Sequence, residues 1–122
     1  MSSDDQQDTL IEQPDGLVTV TTVSGDLDAG TAPAVYRQAL KALSRSPLVV
    51  MDLADTAFCD SSGFNALLRL RRRAAEAGGQ LALAAPPAQV TRLLTLTGGD
   101  AIFPVYGSVA EATAGLLSYK GA

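Results

Sequence analysis

Residues 60–63 read Asp60-Ser61-Ser62-Gly63, which places two hydroxyls beside a carboxylate in a single short turn. A serine in such a turn can attack a substrate if a base activates it, accept a phosphate from another enzyme, or cap a helix. Only one residue can hold an N-cap, so a second polar side chain there leaves a hydroxyl available. Asp26 and Asp28 flank Leu27 in an earlier polar stretch, with Thr31 following. Chemistry of the first kind lacks its usual base, because the 122 residues include no histidine. A nucleophile elbow also needs glycine two positions before the serine, where Cys59 stands. Phosphate acceptance and capping remain, and they point to a protein that binds another protein rather than to an enzyme.

Bulk properties narrow the partner. A net charge of −4 argues against nucleic acid or an anionic membrane as the main partner, since both demand a dominant basic face. The single cysteine, Cys59, cannot form an internal disulfide and reads as a small buried hydrophobe. The acidic start, MSSDDQQD, is unlike a secretory signal, and no apolar run reaches the roughly 20 residues of a membrane helix, so a cytoplasmic location is expected. One domain is expected over 9–120 after a disordered tail at 1–8.

The elements that must hold these residues follow from periodicity. Thr9 to about Gln13 and Leu17–Val23 read as strands joined by a turn at Pro14-Asp15-Gly16. A helix begins near Thr31 with Pro33 in its first turn and Tyr36, Ala39, Leu40 and Leu43 inward. Leu48–Leu53 is nearly all apolar and suits a central strand of a parallel sheet. Gly63, Ala66, Leu67, Leu70, Ala74 and Ala77 recur at helical spacing after the serine turn. Gln80–Ala84 is a strand, Pro86-Pro87 opens a third helix, Ala101–Val105 is an edge strand carrying Pro104, and Ser108 with Glu111 caps a last helix. The predicted order, β-β-α-β-α-β-α-β-α, is an α/β domain with a mainly parallel sheet and an N-terminal hairpin strand. In such sheets the functional edge lies where strands end and helices start, which is where 24–31 and 58–65 fall.

Three segments in this order resemble the STAS-domain family of bacterial anti-sigma factor antagonists. Gly25-Asp26-Leu27-Asp28-Ala29-Gly30-Thr31-Ala32-Pro33 is similar to its first loop and helix start, Leu48–Leu53 to its central strand, and Asp60-Ser61-Ser62-Gly63 to its phosphorylation motif. The resemblance implies a partner switch. The unmodified protein binds an anti-sigma factor that is also a serine kinase, and so releases a sigma factor. Phosphorylation of Ser61 from the kinase's own ATP ends the complex, and a metal-dependent serine phosphatase restores it. No cofactor belongs to the antagonist itself. Asp60, Ser62 and Gly63 then flank the acceptor, with Asp26, Asp28 and Thr31 on the neighbouring loop facing the same partner. Phe64 and Asn65 depart from the family's small residues after the glycine and would bear on partner choice. Asn65, Arg69, Arg72 and Glu76 share a helix face with Arg73 alongside, a face that reads as solvated surface or as an extension of the docking site.

Two other readings compete. Asp26-Leu27-Asp28 after a strand is similar to the paired aspartates of magnesium-dependent phosphotransferases of the haloacid-dehalogenase type, with Asp52 or Asp60 as a further ligand, although the chain is short for that class. A STAS scaffold subunit of a stress-signalling complex, or a domain detached from an anion transporter, would share the fold without the switch.

Overall fold

The computed structural model describes residues 8–13 and 16–118. Of the tail expected over 1–8, Asp8 instead opens the first strand and 1–7 lie outside the described residues, as do Pro14 and Asp15 of the first turn and 119–120. Strands β1 (Asp8–Gln13) and β2 (Gly16–Thr22) pair antiparallel; β2, β4 (Leu48–Asp52), β6 (Gln80–Ala84) and β7 (Val105–Tyr106) run parallel, in the order β1-β2-β4-β6-β7. Two shorter strands, β3 (Gly25–Leu27) and β5 (Thr56–Cys59), form a separate parallel ribbon. The helices are α1 (Ala32–Arg45), α2 (Ser61–Glu76), α3 (Ala88–Thr97) and α4 (Val109–Leu117).

The pleat sorts side chains into two cores. Val49 and Met51 of β4 and Leu81 and Leu83 of β6 point to the face covered by α1, α2 and α3, where Ala39, Leu67, Leu70, Val90, Leu94 and Phe103 close the core. Val18, Val20, Val50, Ala82 and Ala84 point to the other face, which Ala112 and Leu116 of α4 cover. A strand with apolar residues on both faces needs helices on both, which is why Leu48–Asp52 takes the middle of the sheet.

The structure corrects the expected order at two places. The ribbon strands β3 and β5 were expected to be loop, because three or four residues with one or two inward positions give no measurable alternation. They exist as strands because they satisfy each other's backbone, Asp26 standing opposite Phe58 and Leu27 opposite Cys59. The last strand is Val105–Tyr106, not Ala101–Val105. Gly99–Ala101 is instead a 3₁₀ turn that drops Phe103 into the core at 2% exposure. Pro104 then precedes the strand and its carbonyl accepts from the Leu83 amide, and β7 does lie at the sheet edge.

Candidate functional site

Beyond the ends of β2 and β4 the chain continues into the ribbon, which joins the two polar stretches. The buried Thr56 hydroxyl donates to the Val23 carbonyl at 3.0 Å, and the Gly25 amide donates to the Asp55 carbonyl at 3.0 Å. Gly25 takes a φ of +82°, a conformation glycine adopts without Cβ strain. The amide of Asp60 donates to the Leu27 carbonyl at 3.3 Å, so the start of α2 is fastened to the strand that leads into α1.

At α2 the N-cap is Asp60. Its Oδ1 accepts from the amides of Ser62 (2.9 Å) and Gly63 (3.1 Å). One carboxylate therefore serves two of the amides that a helix start leaves without partners, and neither serine hydroxyl is needed as a cap. Ser61 is exposed, and its hydroxyl has no hydrogen bond among the described residues; Ser62 is half-buried. Gly63 is buried, and a Cβ there would run into the Leu27 carbonyl and the Cys59 sulfur. Its role is to let α2 lie directly on β3, rather than to face a partner. Overpacking of this kind costs about 1–3 kcal/mol.

The first loop divides in the same way. Oδ1 of Asp28 accepts from the amides of Gly30 (3.0 Å) and Thr31 (3.2 Å). The Thr31 hydroxyl donates to the Asp26 carbonyl at 2.7 Å and accepts from the Asp28 amide at 3.0 Å. Asp28 and Thr31 thus shape the loop, while the exposed Asp26 side chain has no hydrogen bond among the described residues and is the member of the three free to meet a partner. Asp52 accepts from the Ala54 amide. Among the described residues no three acidic or cysteine side chains gather where they could hold a metal.

Phe64, expected to bear on partner choice, is half-buried and packs against the core. Its ring meets Phe103 edge-on at 6.3 Å between centroids, above the glycine at 99. The exposed aromatic near the serine turn is Phe58, 44% exposed and opposite Asp26 in the ribbon. Sequence reasoning passed over it because β5 was not expected to be a strand, so Phe58 had no assigned face. It also passed over Gln89. From α3 this side chain accepts from the Cys59 amide and donates to the Cys59 carbonyl, both at 2.9 Å, pairing with the outer edge of β5 as a neighbouring strand would. Nothing local in the sequence marks so long-range a bond.

Cys59 is buried as expected, at 1% exposure, and burial, with a smaller contribution from the neighbouring Asp60 charge, pushes its thiol up to about 11. Asn65 is exposed on the turn after Ser61 and lines a groove between the first turns of α1 and α2. Arg69, one turn further on, holds its guanidinium 4.1 Å above the Tyr36 ring of α1. Arg73 pairs with Glu76 at 3.7 Å. Among the described residues no helix is long and apolar enough to cross a membrane.

The arrangement offers an exposed hydroxyl on a fixed helix start, with one outward carboxylate, Asp26, and one exposed aromatic, Phe58, paired on the ribbon that leads to it. Known proteins share it at the level of fold. An anti-sigma F factor antagonist of Paenibacillus polymyxa is 31% identical over 97 residues, spanning 78% of this chain and 83% of the relative. The crystal structure of an anti-sigma factor antagonist from Mycobacterium paratuberculosis superposes with a TM-score of 0.75 at 26% identity, covering 89% of this chain and 92% of that one. The antagonist SpoIIAA in its unphosphorylated form matches with a TM-score of 0.70 at 18% identity, over 92% of this chain and 97% of its own. The phosphorylated Bacillus SpoIIAA matches at 0.62 and 17% identity, over 88% and 96%. The STAS domain model itself matches residues 9–112, which takes in the ribbon, the starts of α1 and α2 and the serine turn, and the chain belongs to the STAS domain family.

Proposed function

We propose that this STAS domain is an anti-sigma factor antagonist that docks an anti-sigma factor serine kinase through the Ser61 face and is released when Ser61 is phosphorylated. The observation that carries the reading is the division of labour at the start of α2. Asp60 supplies the cap, and the hydroxyl of Ser61 is left exposed and unengaged. The kinase supplies ATP, and a serine phosphatase reverses the modification. The antagonist relative from Paenibacillus polymyxa supports the partner class.

The electrostatics support eviction without unfolding. A phosphate adds about −1.5 to −2 charge at neutral pH, and a helix N-terminus favours an anion. No acidic side chain occupies the first turn of α2, so within that turn the new charge meets no like charge beyond the Asp60 cap. At the interface, a like-charge contact at about 4 Å is worth up to about 4 kcal/mol at an effective dielectric of 20. Half of that, about 2 kcal/mol, weakens binding more than tenfold. SpoIIAA, solved in both phosphorylation states, shares this fold in each.

The test is binding of a purified ATP-binding anti-sigma factor from the same genome to the wild type, Ser61→Ala and Ser61→Asp. The first two are expected to bind alike and the third at least tenfold more weakly, with unchanged thermal unfolding in all three. Equal binding by a folded Ser61→Asp would overturn the proposal.

A further inference from the structure

From the groove between α1 and α2 we infer that the docking partner inserts an acidic side chain there, held by Arg37 and Arg69. This deepens the docking reading and rests on it for the partner's identity, while the groove's preference for a carboxylate can be tested alone. The groove has a volume of about 430 Å³ and opens beside the serine turn, with Ser62 on its rim. Ala32 and Ala66, facing each other from the two helices, leave the space. Arg37, Asn65 and Arg69 line it, and among the described residues no acidic side chain does.

The charges do not cancel internally. Neither Arg37 nor Arg69 has an ion pair among the described residues, whereas Arg73, one turn below on α2, is matched by Glu76. The Arg69 guanidinium carbon sits 4.1 Å from the centre of the Tyr36 ring, which restrains it, and its N–H donors make no hydrogen bond among the described residues. Each helix start is already served by a carboxylate, Asp28 before α1 and Asp60 at α2, so the positive charge at the groove comes from the two guanidinium groups. Two arginines without an ion pair among the described residues, side by side on one concavity in a chain of net charge −4, make a local inversion of sign suited to a carboxylate.

With Asp26 free across the serine turn, the docking face carries opposite charges on its two sides. A partner with an acidic group for the groove and a basic group for Asp26 is thereby oriented as well as bound. A phosphate on Ser61, next to Ser62 on the rim, then sits beside the partner's carboxylate and supplies the like-charge contact that drives release.

Two measurements decide the point. In ¹H–¹⁵N spectra titrated with tetra-L-glutamate, the side-chain Nε–H signals of Arg37 and Arg69 and the amides of Ser62 and Asn65 are expected to shift together and saturate. Arg37→Glu or Arg69→Glu should abolish those shifts, and Arg73→Glu should not. Absent shifts, or shifts shared evenly among all nine lysines and arginines, overturn the inference. With the purified kinase, Arg37→Glu and Arg69→Glu should each bind at least tenfold more weakly and Arg73→Glu within twofold of wild type. Wild-type binding by both groove variants alongside loss in Ser61→Asp overturns the acidic contact and leaves the switch standing. The reverse pattern sinks the switch and leaves the groove.

Discussion

The residues around Ser61 divide between those that build the turn and those that it displays. Asp60, Asp28, Thr31 and Gly63 are used internally, by capping, by closing the loop and by close approach to Leu27. Ser61, Asp26 and Phe58 are left outward. Cys59 adds a test at this scale, because its thiol is buried in the neutral form and titrates near 11 rather than near 9.0. As pH rises past 9 the unfolded chain ionises this thiol first, so it binds fewer protons than the folded state, and stability falls until the folded thiol also ionises near 11. Urea unfolding between those values should show a loss of up to about 1.4 kcal/mol per pH unit that is missing in Cys59→Ala. A wild-type profile that tracks the variant's would refute the burial argument. The capped serine turn was legible in sequence, since Asp, Ser and Gly before an apolar 3.6-residue period have a local physical meaning. The inward turn of Phe64 was not, because it depends on Phe103 and the glycine at 99, which lie far along the chain.

Among the elements, the β3–β5 ribbon unites the two loops, and one side chain finishes its open edge. Gln89→Ala removes both bonds to Cys59 and leaves a buried residue's amide and carbonyl unpaired. The expected cost is about 1–3 kcal/mol, read as a lower urea midpoint, with faster hydrogen exchange at the Cys59 amide than in the wild type. Unchanged exchange there would show that the edge is held by something else. The long elements were readable because β2 is rich in β-branched residues and β4 has a continuous apolar run, each a signal longer than its noise. The ribbon strands and the displaced β7 were not, since their extent is decided by pairing partners, which no local period reports.

As a whole, the molecule sets its serine turn and its second core on opposite sides of the sheet. Leu116 of α4 is fully buried against Val18, Val20, Val50 and Ala82, while the serine turn rests on the core beneath α1, α2 and α3. Leu116→Ala should therefore cost about 2–5 kcal/mol of stability by opening a cavity. At a temperature where the variant remains folded, its affinity for the partner should match the wild type within twofold. A large loss of affinity in the folded variant would mean that the two layers are coupled through β4.

The Asp60 cap has one more consequence. With the carboxylate engaged by two amides, the serine that follows is displayed by a wound turn and has no fixed location in an extended chain. Under the proposed phosphorylation, the kinase meets a rigid object shaped by distant parts of the polypeptide, and melting that turn erases the address. The modification can then report on native molecules alone, leaving nascent or denatured copies unmarked.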